Sequence, residues 1–252
     1  MHDAAFLGAH SAPLEKLSHI SVKNAVAERF ATLIATGVLS VGDTLPSERD
    51  LAAAMGVSRE TVRGALLILS TKGIVTVVQG ARTRVASADV GALGLSALSN
   101  GRVTDYTLED VHEGRLMVEA RVAVRAASRV SDGTLATLTR LIAVQQQAGG
   151  DPVRFLIADR EFHVAVYQSC GNAVLSDLAT TLYSYQLDDR RRAVGHAGAI
   201  DRSIADHRAI LAALVARDGA ALAAALGVHE RRIYDSTRAL RAAADTRTDR
   251  CG

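Results

Sequence analysis

Asp159 and His163 lie four residues apart in a helical pattern whose apolar stripe is Phe155, Phe162 and Val166. A carboxylate and an imidazole thus stand where an amphipathic helix normally carries hydrocarbon. Two later segments repeat the anomaly. His207 shares the 3–4 spacing of Ile204, Leu211 and Leu214, and His229 falls in register with Leu222, Leu226 and Ile233. Each polar group left unsatisfied in a core costs roughly 1 to 3 kcal/mol, so four of them facing one interior need a common partner. Three imidazoles and a carboxylate suit a borderline divalent cation such as Zn²⁺, Ni²⁺ or Mn²⁺, with Zn²⁺ favoured, and one helix can donate two ligands at i and i+4. Four protein donors also leave octahedral positions for water or an anion.

A second chemistry lies nearer the N-terminus. Arg59, Arg63, Lys72, Arg82 and Arg84 face a single acid, Glu60, over residues 58–85. This is the footprint of a nucleic-acid contact or of a solvated basic surface, and charge alone does not choose between them. The formal net charge of the whole chain is only +2. Its excess lies within residues 1–86, because the remainder carries equal numbers of cations and acids.

Both sets of residues need elements to hold them. With 48% hydrophobic residues, no Trp and only 3 Pro in 252 residues, a mostly helical chain is favoured. Residues 1–18 lack sustained periodicity and read as an N-terminal arm. SVKNAVAERFATLIATG is a helix closed by Gly37. Ser47 caps the short helix ERDLAAAM, with Asp50 at the capping-box position, and after the break at Gly56-Val57, Ser58 caps RETVRGALLILSTK. IVTVVQGARTRVA then changes period to a hairpin with a basic tip at Gly80. Two helices, a tight turn and a basic hairpin make a winged helix-turn-helix over residues 19–86. Residues 87–106 read as a linker with a short helix near 90–99. From there the period stays at 3.6, with helices expected over 107–130, 133–148, 152–170, 172–187, 200–217 and 219–243. The fold class is therefore mainly α: a winged helix-turn-helix followed, over 107–245, by an all-α antiparallel bundle of six or seven helices.

In that arrangement the second motif helix enters the major groove by its N-terminal end, which puts Ser58, Arg59, Thr61 and Arg63 within reach of DNA. Arg59 and Arg63 share a face and suit guanine or phosphate; Ser58, Thr61 and the helix N-terminus suit phosphate oxygens. Gly80 would let the wing backbone approach the minor groove.

Leu45-Pro-Ser-Glu-Arg-Asp-Leu51, Met55-Gly-Val-Ser-Arg-Glu-Thr-Val-Arg63, Leu66, Leu69 and Gly73-Ile74 resemble the DNA-binding domain of the GntR family of bacterial transcription regulators. The resemblance implies that Arg49 touches the DNA backbone, that Arg59 and Arg63 read the operator, and that Gly80 belongs to the wing. The wing departs from the family's Gly-x-Gly-Thr-like run, since Gln79-Gly80-Ala81-Arg82-Thr83 stands there. Asp159-Arg-Glu-Phe-His163, Ser169-Cys-Gly-Asn172, Asp206-His207-Arg208, Arg217-Asp218 and His229 resemble the FCD ligand-binding domain of the family's FadR-like branch. In its metal-containing members an Asp and three His hold a divalent ion beneath the effector cavity, which implies that role for Asp159, His163, His207 and His229. Val111-His-Glu-Gly-Arg-Leu-Met-Val-Glu119 resembles the Glu-x-Arg-x-x-x-Glu helix that opens the same domain. Arg115 is then the candidate for gripping an effector carboxylate, although pairing with Glu119 one turn along is an equal alternative. Asn172 reads as an N-cap; His112 and His196 read as surface or structural residues.

Cys170 and Cys251 are too few and too far apart for a disulfide framework or a zinc knuckle. No signal pattern and no run of about 18 apolar residues is present, so a cytoplasmic protein without a membrane span is expected. A His-Glu-x-x-His helix and a nucleophile elbow are also missing, which argues against an enzyme. The expectation is a homodimeric DNA-binding regulator, a repressor, acting on a palindromic double-stranded operator under control of a small carboxylate effector. The alternative is that the metal itself is the signal.

Overall fold

The computed structural model describes residues 21–77, 82–93, 106–185 and 187–248. The first helix, α1 (Val22–Ala35), buries Val26, Phe30, Leu33 and Ile34 and packs on α3. Ser47 starts α2 (Glu48–Met55) by accepting the Asp50 N–H at 3.2 Å, while the Asp50 carboxylate takes the Ser47 hydroxyl at 2.8 Å. Gly56 ends α2 at φ +66°, a left-handed cap that costs glycine little. Ser58 then caps α3 (Arg59–Thr71) through the Thr61 N–H at 3.0 Å. Strands β1 (Val75–Thr76) and β2 (Arg84–Val85) pair antiparallel, Val75 against Val85 and Thr76 against Arg84. The loop before α2 adds to this sheet: Gly42 N–H donates to Val85 O at 2.8 Å, Val85 N–H to Asp43 O at 2.9 Å and Leu45 N–H to Thr83 O at 2.8 Å. The tip with Gly80 lies outside the described residues, as does the expected arm over 1–18.

The remaining helices are α4 (Leu108–Arg129), α5 (Asp132–Gln146), α6 (Pro152–Gln168), α7 (Ala173–Ser184), α8 (Leu187–Val194), α9 (Ala199–Val215) and α10 (Gly219–Thr248). Their starts follow local chemistry. Thr107 and Asp110 form a capping box, Ser131 caps α5, Asp151 accepts two N–H groups ahead of Pro152, and Asn172 caps α7. α10 lies along α4, and a side chain at Gly219 would meet the Val124 backbone at 3.1 Å, so glycine permits that close crossing. α6 is the central helix, touching α2, α4, α5, α7 and α8. It is buried well beyond one stripe: Phe155 to Asp159, Phe162 to Val164, Val166 and Tyr167 are all interior.

Two expectations are corrected. α8 was not anticipated, because the sequence LDDRRRAV shows no apolar period. Its interior positions are Leu187, Arg190 and Val194, so a buried guanidinium replaces hydrocarbon in the row and hides it. Along α9 the residue buried behind His207 is Ile210, with Leu211 only half-buried. Where a short helix was expected near 90–99, Gly91–Leu93 forms a 3₁₀ turn, and residues 94–105 lie outside the described set.

Among the described residues, four arginines bridge the winged helix and the bundle. Arg191 of α8 pairs with Asp43, Arg154 of α6 with Asp50 at 3.2 Å and Arg29 of α1 with Glu161 at 3.1 Å, while Arg140 of α5 donates to Ala53 O. No described helix is long and apolar enough to cross a membrane.

Candidate metal centre

α6, α9 and α10 bring together the four residues singled out by their spacing. Asp159, His163, His207 and His229 are each at most 1% exposed, and each offers a donor atom within 4.8 Å of the others. Asp159 Oδ1 lies 3.3 Å from His207 Nε2 and 3.9 Å from His163 Nε2. The three rings sit with centroids 4.9 to 5.2 Å apart. The most telling detail is what these atoms lack. Asp159 Oδ1 and all three Nε2 atoms are buried without a hydrogen-bond partner, a costly state for four neighbouring groups. A divalent cation would satisfy all of them at once.

The outward-facing atoms of the same side chains are held. His207 Nδ1 meets Gln145 Oε1 at 2.7 Å, His229 Nδ1 meets Asp206 Oδ2 at 3.2 Å, and His163 Nδ1 approaches the Tyr167 hydroxyl at 3.5 Å. Acceptors at Nδ1 fix the proton there and leave Nε2 bare, the tautomer that a metal ligand requires. Tyr167 in turn donates to Glu119 Oε1 at 2.7 Å, and so has an oxygen free to accept from His163. Asp159 Oδ2 accepts from Tyr183 Oη at 2.6 Å and from Arg190 Nη2 at 2.8 Å, leaving Oδ1 for the cluster.

Electrostatics agree with the donor geometry. Burial, followed by the neighbouring His229, pushes His207 down to about 3; burial, followed by Arg190, does the same for His229. Burial carries His163 well below its ordinary value too. All three rings are neutral near pH 7 and keep the lone pair that a metal needs. Burial alone would raise the Asp159 carboxyl, but the Arg190 guanidinium beside it and the Tyr183 hydroxyl bond hold it below the usual value.

Arg115 sits one layer out and is fully buried. Its Nε and Nη2 donate to Glu119 Oε1 at 2.9 and 2.8 Å, and its Nη1 forms an ion pair with Glu230. The pairing with Glu119 weighed from sequence is thus present, and Glu230 adds a second carboxylate. His112 is structural here: Nδ1 meets Glu230 Oε1 at 3.2 Å, and the ring stacks on Tyr234.

At the other end, Arg49, Arg59 and Arg63 are solvent-exposed on the helix-turn-helix, with Arg59 and Arg63 in the first two turns of α3. Ser58 Oγ lies 2.8 Å from Thr61 Oγ1, so these two hydroxyls organise the N-terminus of α3.

Sequence reasoning missed Gln145, Tyr167, Tyr183, Arg190, Asp206 and Glu230. Tyr167 had a signal, since it continues the row Asp159, His163 at the next i+4 position. Asp206 stood in the motif that resembles the FCD domain, but nothing pointed to its bond with His229, and Gln145 had no signal, because their partners come from other helices.

Residues 22–85 match the family model described as bacterial regulatory proteins, gntR family, and residues 110–232 match the FCD domain. The HTH-type transcriptional repressor NanR of Cronobacter sakazakii is 30% identical over 242 residues, which span 93% of this chain and 90% of that protein. NanR of Salmonella bongori is 28% identical over 203 residues, 79% of this chain and 74% of the relative. Among solved structures, E. coli McbR/YncC superposes with a TM-score of 0.52 at 21% identity, covering 88% of this chain and 99% of that one, a likeness of fold. Two family matches in tandem, and relatives aligned across both, mean that this chain belongs to the GntR family of DNA-binding transcription regulators, in the FadR-like branch that carries an FCD domain, and is not an enzyme.

Proposed function

We propose that this chain is a repressor that binds a palindromic operator as a homodimer, and that a small organic acid at a divalent ion in the helical domain sets its grip on DNA. Residues 19–86 are the DNA-binding unit and 107–245 the effector-binding unit in this reading, joined by 87–106. The observation that carries it is the set of four buried donor atoms, Asp159 Oδ1 and the Nε2 atoms of His163, His207 and His229, none with a hydrogen-bond partner. Zn²⁺ is the favoured ion for such a nitrogen-rich set, ahead of Ni²⁺ and Mn²⁺. Charge balance supports an acid as the second ligand. Asp159, Glu119 and Glu230 against Arg115 and Arg190 leave one net negative charge around neutral imidazoles. A divalent ion reverses its sign, and an organic anion then neutralises it. Arg115 grips the carboxylate in this reading by exchanging part of its present pairing with Glu119 and Glu230.

On the DNA side, Arg59 and Arg63 read bases in the major groove, Arg49 holds the backbone, Ser58 and Thr61 meet phosphate, and Gly80 serves the wing. The relatives' printed name, transcriptional repressor, supports repression as the mode of action.

Elemental analysis and native mass spectrometry of the purified chain test the reading directly. One divalent ion per chain is expected, with an organic anion on part of the population. His207→Ala should lose the ion yet keep its basal DNA affinity; retention of stoichiometric metal rejects the ligand set. Operator affinity that is the same with and without every acid found bound would remove the effector. A response to the metal alone would instead make the ion the signal.

A further inference from the structure

Helix α8 reaches both halves of the molecule with adjacent side chains. Arg190 is buried and donates to Asp159 Oδ2 at 2.8 Å, on the carboxylate whose other oxygen faces the three imidazoles. Arg191 turns the opposite way. Its Nη1 donates to Val38 O at 3.0 Å, Ser40 Oγ at 2.8 Å and Asp43 Oδ2 at 2.5 Å, and its Nη2 to Asp43 Oδ1 at 2.8 Å. The loop it grips joins α1 to α2 and also seats the wing. The Asp43 carbonyl takes the Val85 N–H, and the Gly42 carbonyl takes Arg84 Nη1 at 3.0 Å. A two-pronged guanidinium–carboxylate pair fixes direction as well as distance, so a shift of α8 is a shift of this loop.

We infer that α8 carries the state of the buried cluster to the DNA-binding domain, with Arg190 following Asp159 and Arg191 steering the 38–43 loop and the wing strand bonded to it. The inference rests on the cluster being a ligand site, as proposed above. A cation at Asp159 Oδ1 shares the charge that now belongs to Arg190 and places a like charge beside that guanidinium, so the two states of the cluster differ in how strongly they hold α8. Arg190 Nη1 is buried and has no hydrogen-bond partner, which leaves a donor for an arriving anion. The opening next to it, between α8, α9 and α10, holds about 40 Å³ and is lined by Arg190, Arg202, Arg232 and His229. That is room for a water molecule or two beside the Arg190 guanidinium. α6 also bridges the domains, through Glu161 and Arg29, but it is buried along most of its length and acts as the frame. α8 has only eight residues, and its buried row of Leu187, Arg190 and Val194 is anchored in the middle by an ion pair rather than by hydrocarbon.

Hydrogen–deuterium exchange on the full-length chain, with and without Zn²⁺ alone, tests this. Zinc loading is expected to change exchange at residues 38–43 and 83–85. Arg191→Ala should bind zinc with unchanged stoichiometry and lose that change, and Asp43→Asn should lose it too. Arg191→Lys, which keeps the charge but cannot span both carboxylate oxygens, should show a weakened response. Arg29→Ala, which breaks a different bridge, should retain it in full. A response preserved in Arg191→Ala overturns the inference, as does zinc-loaded wild type with unchanged exchange at 38–43. Failure to take up zinc, nickel or manganese removes the metal reading and this inference together, whereas zinc bound without transmission removes the inference alone.

Discussion

The N-terminus of α3 and the cluster between α6, α9 and α10 are built on opposite plans. At α3 the chemistry is exposed, contiguous in sequence and organised by neighbours: Ser58 caps through Thr61, and Arg59 and Arg63 project from the next turns into solvent. In the cluster it is buried, drawn from three helices and held by partners far away in the chain, such as Gln145 on His207 and Arg190 on Asp159. Exposed groups can wait for a ligand at little cost, because water serves them meanwhile. Buried groups cannot, so each needs a partner from the fold, and Asp159 Oδ1 and the three Nε2 atoms of the cluster are left without one.

The contrast can be broken at several strengths. Asp159→Ala should have the largest effect, about 3–5 kcal/mol of lost stability by urea unfolding, because Arg190 stays buried without its carboxylate. Arg59→Ala should change stability by less than about 0.5 kcal/mol. Similar losses at the two sites would erase the distinction drawn here.

Acid should act on the cluster as well. His207 and His229 are lowered in the folded chain to about 3, so between pH 6.5 and 3 the unfolded chain binds protons that the folded one refuses. Stability of the metal-free protein is therefore fully present above pH 6.5 and falls as pH drops, by about 2 kcal/mol per imidazole at pH 5. Glu230 and Asp206, raised chiefly by burial, work in the opposite sense. His207→Leu isolates one imidazole: the loss between pH 7.5 and 5 should shrink by about 2 kcal/mol, and an unchanged pH slope would place the proton elsewhere.

Smaller effects belong to α3. Arg59→Ala or Arg63→Ala should cost about 1–3 kcal/mol of operator discrimination, measured by binding to specific and scrambled duplexes, with metal content untouched. Ser58→Ala should cost about 1 kcal/mol in thermal unfolding, since it removes the acceptor for the Thr61 N–H. No loss there would mean that the α3 N-terminus is held by something other than its cap.

How much was legible follows the same division. The winged helix could be read because its signals are local: a serine before each motif helix, glycine at the left-handed turn, a change of period at β1. The four cluster residues could be read because each interrupts an apolar row on its own helix. α8 could not, since the residue that anchors it is an arginine in an apolar position, which looks like surface until Asp159 is seen beside it.

The sequence by itself determined the helices other than α8, several of their caps, the family and the four groups that no core would accept unpaired, because periodicity, capping and the cost of burial act within a few residues of each side chain. Only the tertiary structure decided that those four donors meet, that Gln145, Asp206 and Arg190 orient them, and that Arg191 ties the same helix to the DNA-binding domain. The contacts of Gln145, Asp206, Arg190 and Arg191 span sequence separations of 23 to 148 residues, and the packing among α5, α6, α8, α9 and α10, with the loop before α2, brings their ends together. No pattern along the chain encodes a distance across it.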